Sequence, residues 1–275
     1  MTTTVFTLVV LGPTAVVAAA LFAVMWRERR SARDARIALL SGGVLSLWAM
    51  VASVLASRGF FRPQDTESVP PVAINLLGVL TVLFVSLATS TSLRRLLTRQ
   101  ANLIRLHLWR FEGIVFLVLM ARGEMPALWA LPAGIGDILV GATAPWVARH
   151  ADAPQGRRRA IIWNLLGIAD LIVAVGLGIM TNPGPTQVFD TVPTSELVTH
   201  FPMALVPTFL VPLAFVLHVI SSWQLLGGRW VPHLAARGTE PMMQPQGIFG
   251  RSRLLGVIPW MVGCQRNRCQ WKDGP

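Results

Sequence analysis

Long runs of apolar residues recur between residues 5 and 226, and short polar, arginine-rich connections separate them. A helix that crosses a bilayer needs about 20 predominantly apolar residues. The runs reach that length, so the pattern predicts an all-α, polytopic bundle of about seven transmembrane helices. The predicted spans are Val5–Trp26, Ile37–Ala56, Pro71–Leu93, Leu103–Ala121, Ala127–Ala148, Ala160–Thr181 and Phe201–Leu226.

The composition changes after Leu226. Residues 1–226 form the predicted bundle, whereas residues 227–275 are rich in Gly, Pro and Arg, with one apolar stretch, Leu254–Cys264, that is too short to span. We expect 227–275 to be a mostly disordered, basic cytoplasmic tail. The two cysteines, Cys264 and Cys269, supply at most half of a four-ligand zinc site, so the sequence predicts no metal site.

The arginines alternate from one side of the predicted bundle to the other. The connections within residues 27–36, 94–105 and 149–159 carry thirteen arginines, and the connections on the opposite side carry three. Basic connections stay on the cytoplasmic side of a membrane. This asymmetry predicts an outside N-terminus and a cytoplasmic C-terminus, and therefore an odd number of spans.

Composition narrows the class of protein further. Charged residues make up 13% of the chain, against about 25% in soluble domains. The net charge of +11 comes from loop arginines that set orientation, so the predicted partner is the lipid bilayer and not nucleic acid. Abundant Arg, Ala, Gly and Pro with one lysine suggest a GC-rich bacterial genome, and we expect a multi-pass protein of the bacterial inner (plasma) membrane. The sequence specifies no cofactor and no oligomeric state.

Two aspartates lie inside predicted spans, in similar surroundings. Asp137 ends the sequence Gly-Ile-Gly-Asp and Asp170 ends Gly-Ile-Ala-Asp. A carboxylate in hydrocarbon costs roughly 2.5–3.5 kcal/mol on insertion scales, so each is a candidate functional group. Both are predicted near the bilayer midplane, in spans joined by a short loop. Two carboxylates that share a site do not both ionise easily, which is typical of a proton or cation site.

Other polar and helix-weakening residues surround these aspartates in the sequence. Arg110 is the predicted counter-charge, for which Glu112 competes, and Asn164 is predicted to hydrogen-bond to a neighbouring helix. Pro132, Gly134 and Gly136 predict a flexible or broken backbone in the fifth span, as in the helices that carry binding sites in transporters. The alternative is that the same residues form a structural ion pair that closes the bundle.

The residues from Arg94 to Glu112 carry a polar stripe at helical spacing beside leucines. This pattern predicts an amphipathic helix at the cytoplasmic interface. His218 is predicted near the level of Arg110, as a packing residue. The five histidines are predicted to lie in different layers, and the zinc-protease and nucleophile-elbow motifs are missing, so we expect no enzyme activity.

The sequence Leu131–Asp137, followed by Trp163–Asp170, resembles bacterial multi-pass membrane proteins of unassigned function. The resemblance covers about half of the chain and implies a membrane location without any chemistry. Two functions remain open. One is a small ion- or proton-coupled transporter whose midplane carboxylates bind a small ion or solute. The other is a non-transporting sensor, accessory or structural subunit.

Overall fold

The computed structural model describes residues 3–63, 69–151, 153 and 155–227. The predicted tail from residue 228 onward, with Leu254–Cys264 and both cysteines, lies outside the described residues. Within them every regular element is helical. The elements are α1 Thr3–Glu28, α2 Ala32–Ser57, α3 Pro71–Thr89, α4 Thr91–Leu96, α5 Gln100–Arg105, a 3-10 helix Leu106–Gly113, α6 Ile114–Ala121, α7 Ala127–His150, α8 Gly156–Met180, a 3-10 turn Glu196–Thr199, a π-helical turn Val206–Leu210, and α9 Val211–Leu225.

Among the described residues, six helices are long and apolar enough to cross a membrane. They are α1, α2, α3, α7, α8 and α9 with its preceding π-helical turn. The all-α prediction is therefore confirmed for the described residues, and the long apolar helices are compatible with a membrane protein. The predicted fourth span, Leu103–Ala121, is not one regular helix, because α5, the 3-10 helix Leu106–Gly113 and α6 follow one another there.

Burial in the bundle is uneven between helices. α9 is the most deeply buried of the long helices, and α3 is the least buried. Large apolar side chains on α2 and α3, such as Leu40 and Leu77, are more than half exposed. An apolar cavity of about 360 Å³ lies between α1, α2, α3 and α9. α2 and α3 therefore present apolar surface both towards this cavity and on the outside of the bundle, as membrane helices do.

The segment from Arg94 to Glu112 is not one helix, because it divides into α4, α5 and the 3-10 helix Leu106–Gly113. Along α4 and α5 the side chains follow the predicted amphipathic pattern, since the polar residues are exposed (Arg95, Thr98, Arg99, Arg105) and the apolar ones are buried (Leu96, Leu103, Ile104). The pattern reverses in the 3-10 helix, where His107, Arg110 and Glu112 are buried and Leu108 and Phe111 are about half exposed. The predicted stripe is therefore wrong at its C-terminal end, at Glu112.

The fifth predicted span is a continuous helix. α7 passes without interruption through Pro132, Gly134 and Gly136, so the predicted break is absent. Its glycines instead allow a close approach to the 3-10 helix Leu106–Gly113. A Cβ on Gly134 would lie 2.8 Å from the carbonyl oxygen of Gly113, and one on Gly113 would lie 2.7 Å from the carbonyl oxygen of Gly134. Small residues at such contacts let two backbones pack directly.

Ionic contacts join the elements at the arginine-rich end of the bundle. Ser31 caps α2 by accepting a hydrogen bond from the backbone N–H of Asp34, over 3.1 Å. Asp34 pairs with Arg95 over 3.4 Å, and Glu28 pairs with Arg99 over 3.5 Å. The end of α1 and the start of α2 are thereby tied to α4 and the residues just before α5.

Candidate functional site

Arg110 is the centre of a buried ionic cluster, and its side chain has no exposure. Its Nε donates a hydrogen bond to Asp137 Oδ1 over 2.5 Å, and its Nη2 donates to Asp170 Oδ2. Its Nη1 donates to His218 Nε2 over 3.1 Å. One guanidinium therefore links the 3-10 helix, α7, α8 and α9. The predicted counter-charge contacts both predicted carboxylates.

The two aspartates meet because of where they lie on a helical hairpin. Asp137 follows the first residue of α7 by ten positions, and Asp170 precedes the last residue of α8 by ten. α7 and α8 run in opposite directions, so both carboxylates lie about 15 Å from the same end of the hairpin. α8 begins at Gly156, four residues before the predicted start at Ala160.

Glycines make room for the cluster. A Cβ on Gly136 would collide with the carboxylate of Asp170, and a Cβ on Gly167 would collide with the imidazole of His218. Gly134 and Gly136, which were predicted as hinge residues, therefore allow close packing within a continuous helix. Gly136 gives the Asp170 side chain the space in which it reaches Arg110.

A hydrogen-bonded series leads away from Arg110 on the side of α9. Since a guanidinium only donates, His218 Nε2 accepts from Arg110, which assigns the ring proton to Nδ1. Nδ1 then donates to Asn164 Oδ1 over 2.9 Å. Asn164 Nδ2 donates to the carbonyl oxygen of Ala160 and to Ser221 Oγ, each over 2.8 Å. The prediction that Asn164 hydrogen-bonds across helices agrees with these contacts.

The series continues to the arginine-rich end of the bundle. Ser221 Oγ donates to Gln100 Oε1 over 2.7 Å, and Gln100 Nε2 donates to Gln224 Oε1 over 2.7 Å. Gln224 Nε2 donates to the carbonyl oxygen of Leu97 over 2.7 Å. Each group accepts from one neighbour and donates to the next. In every bond of the series the donor therefore lies on the side of Arg110 and the acceptor on the side of Leu97. These bonds connect α5, α8 and α9.

Two histidines lie in one layer, so the prediction of different layers is wrong for this pair. The rings of His107 and His218 stack with their centroids 3.8 Å apart. Trp163 packs beside both, 5.4 Å and 5.1 Å away by ring centroids. In the part of the chain that the structure describes, neither ring nitrogen of His107 has a hydrogen-bond partner.

Glu112 does not hydrogen-bond to Arg110, although it was predicted to compete for it. Its side chain is buried, with a relative exposure of 7% for the residue, and neither carboxylate oxygen has a hydrogen-bond partner among the described residues. The carboxylate of Asp137 is close enough to Glu112 for the two like charges to repel each other when both are ionised. The cluster thus holds three carboxylates and one guanidinium.

The sequence did not identify His107, Gln100, Ser221 or Gln224 as site residues. A signal was present on α9, where His218, Ser221 and Gln224 recur at intervals of three inside an apolar run. That spacing places polar groups along one helix face. Within the described ranges no group of three or more His, Cys, Asp or Glu side chains could hold a metal ion.

Residues 69–226 match the family described as Domain of unknown function (DUF8737). The match covers more than half of the 275 residues, so the chain belongs to this family. The matched segment contains every residue of the ionic cluster and of the hydrogen-bonded series, and it leaves out α1 and α2. No curated protein and no solved structure matches the chain significantly.

Proposed function

We propose that the chain is a multi-pass protein of a bacterial inner membrane with seven spans, an outside N-terminus and a cytoplasmic C-terminus. Six of these spans are the long helices. The additional span, which is the fourth along the chain, is the composite segment of α5, the 3-10 helix Leu106–Gly113 and α6. Rises of 1.5 Å and 2.0 Å per residue give this segment a length of about 37 Å, enough for a hydrocarbon core of about 30 Å. The arginine asymmetry of the connections supports the orientation.

Within that topology the chain acts as a small ion- or proton-coupled transporter, and the ionic cluster is its coupling site. The observation that carries this proposal is the charge imbalance of the cluster. If all three carboxylates are ionised, two negative charges lack compensation in an apolar interior, which is costly unless a proton or cation binds. Intramembrane ionisable residues of this kind mark ion and proton pathways.

Slight exposure of the two aspartates supports access to the cluster. The side chains of Asp137 and Asp170 are 12% and 13% exposed, whereas Arg110 is fully enclosed. The acidic groups therefore lie at the margin of the cluster and the guanidinium at its centre. A cation or proton that arrives from outside the protein meets carboxylate oxygens first.

The test is solute-dependent proton movement in liposomes. The purified full chain is reconstituted with an internal pH indicator, and pools of small solutes are added outside. A proton-coupled transporter changes the internal pH with at least one pool, and Asp137→Asn abolishes the change. Asp190→Asn, an exposed aspartate in the connection before α9, is the matched control and keeps it. Wild-type liposomes that respond to no pool would contradict the proposal.

A second function, a non-transporting membrane subunit, is favoured by one observation. The hydrogen-bonded series from Arg110 to Leu97 is complete, and a fully satisfied polar network gives a bundle one rigid arrangement. Thermal unfolding over a range of pH separates the two functions. A coupling site gives pH-dependent stability that loss of a cluster carboxylate flattens. A structural lock loses several kcal/mol at every pH when either Asp137 or Asp170 becomes Asn.

A further inference from the structure

The three carboxylates of the cluster are held in different ways. Asp137 and Asp170 each accept a hydrogen bond from Arg110, and this fixes their positions. Glu112 lies two residues beyond Arg110 on the same 3-10 helix, yet it makes no hydrogen bond to the guanidinium. Neither of its oxygens is bonded to any described residue. The cluster therefore has a fixed part around Arg110 and a free carboxyl group at Glu112.

Among the residues that the structure describes, the surroundings of Glu112 offer no cation other than Arg110. α7 contributes Asp137, whose charge is of the same sign. α1 packs against the 3-10 helix, and its residues 6–25 include no ionisable side chain. α6, which follows directly, has none either, and Arg105 at the end of α5 is exposed. His107, on the same 3-10 helix, and His218 of α9 are the remaining titratable groups of this layer.

We propose that Glu112 is the group that exchanges a proton in this cluster, while Asp137 and Asp170 serve to position Arg110. An isolated carboxylate in an apolar interior is neutralised in practice, since its ionised form loses the solvation of water. Binding forms one O–H bond on a Glu112 oxygen, and the corresponding O–H bond of a hydronium ion breaks. The excess of negative charge in the cluster falls from two to one.

The geometry favours a proton over a metal cation as the bound species. A proton needs one carboxylate oxygen, and Glu112 has two that are free among the described residues. Hard metal cations take six or more oxygen ligands. Glu112 and Asp137 together supply four carboxylate oxygens, of which one is already bonded to Arg110. This inference rests on the proposed function for its role in transport, but the protonation of Glu112 is measured separately.

Infrared spectroscopy of the full chain in lipid vesicles tests the protonation. A protonated carboxyl group gives a C=O stretching band distinct from the bands of a carboxylate. We expect such a band in the wild type, shifted when the glutamates carry ¹³C at the carboxyl carbon, and reversibly weakened as the pH is raised. The label assigns the band to glutamate without any substitution, so the result does not depend on the folding of a variant.

A variant assigns the band to one glutamate. Glu112→Gln keeps the shape of a neutral side chain and should remove the band. Glu196 is half exposed at the start of the 3-10 turn Glu196–Thr199, so Glu196→Gln should keep the band. A band that does not respond to glutamate labelling, or that persists in Glu112→Gln, overturns the inference. So does the absence of a protonated carboxyl band at every pH.

Transport measurements separate this inference from the proposed function. If wild-type liposomes show solute-dependent proton movement and Glu112→Gln still shows it, Glu112 is not the exchanging group and the transporter proposal stands. If Glu112→Gln abolishes the movement and Glu196→Gln does not, both are supported. If the wild type moves no protons while the band belongs to Glu112 and responds to pH, the transporter proposal fails. The inference that Glu112 exchanges a proton is then still supported.

Discussion

At the scale of single residues, Arg110 is the least replaceable side chain of the described bundle. It is fully buried, and its three nitrogens bond to groups on α7, α8 and α9. Removing one member of a buried ion pair leaves the others uncompensated, which costs about 3–5 kcal/mol. Replacing all the members by neutral groups of similar volume costs far less.

Arg110→Met is therefore expected to lower the free energy of unfolding by about 3–5 kcal/mol. The triple variant Arg110→Met, Asp137→Asn, Asp170→Asn should recover a large part of that loss. Unfolding in detergent, followed by circular dichroism, gives both values. Arg122→Met is the control, because Arg122 is exposed and pairs with the exposed Glu124, and it should change stability little. A triple variant less stable than Arg110→Met would contradict the ionic account of the cluster.

The sequence predicted some of these residues and missed others for identifiable reasons. A charge inside an apolar run is visible in any single sequence, so Asp137, Asp170 and Arg110 were found. The sequence predicts only a packing role for His218, because a histidine in an apolar helix gives no indication of its partners. Its role depends on Asn164, which is 54 residues away in the chain. Such pairs arise only when the helices pack.

At the scale of elements, the 3-10 helix Leu106–Gly113 explains why the predicted polar stripe, exposed along α4 and α5, ends at the buried Glu112. An α-helix turns about 100° per residue and a 3-10 helix about 120°, so eight residues accumulate a difference of about 160°. A stripe drawn at α-helical spacing therefore reaches the wrong side of the segment by Gly113. A helical pattern drawn on a sequence assumes the same number of residues per turn throughout. No residue type between Leu106 and Gly113 indicates a 3-10 helix.

The contact between α7 and this 3-10 helix gives a prediction at the same scale. A Cβ on Gly141 would lie 2.8 Å from the backbone nitrogen of Phe111, so one backbone must move to accept it. Gly141→Ala should lower the free energy of unfolding by about 1–3 kcal/mol, the usual cost of overpacking. Thermal unfolding of the purified protein measures it.

Gly176→Ala is the matched control for that substitution. Gly176 also lies inside a long helix, α8, but a Cβ there would meet nothing within 4 Å. Alanine should leave the stability unchanged or raise it by about 0.5–1 kcal/mol, since glycine disfavours helix interiors. Equal losses in the two variants would show that the close approach of α7 is not what Gly141 provides.

At the scale of the whole molecule, the proposed topology turns on whether the segment Gln100–Ala121 crosses the membrane. With it there are seven spans, and the connections before and after it lie on opposite sides. Without it there are six, and they lie on the same side. The end-to-end length of the segment and the arginine asymmetry both favour seven.

Labelling of single cysteines in intact cells measures this. With Cys264 and Cys269 replaced by serine, Thr98→Cys and Glu124→Cys introduce exposed thiols on either side of the segment. A membrane-impermeant maleimide should label Glu124→Cys in intact cells and Thr98→Cys only after permeabilisation. Gln155→Cys should behave like Thr98→Cys, because it lies in another arginine-rich connection. Labelling of Thr98→Cys and Glu124→Cys from the same side would show that the segment Gln100–Ala121 does not cross the membrane.

The long sequence separations within the cluster have a consequence for biosynthesis. Arg110 leaves the ribosome before its partners, which follow 27, 60 and 108 residues later. A segment that carries Arg110 and Glu112 faces an insertion cost of several kcal/mol when it meets the lipid alone. The nascent segment is therefore expected to wait beside the insertion machinery until α7, α8 and α9 arrive. The composite segment of α5, the 3-10 helix and α6 would then be among the last parts of the bundle to settle in the bilayer.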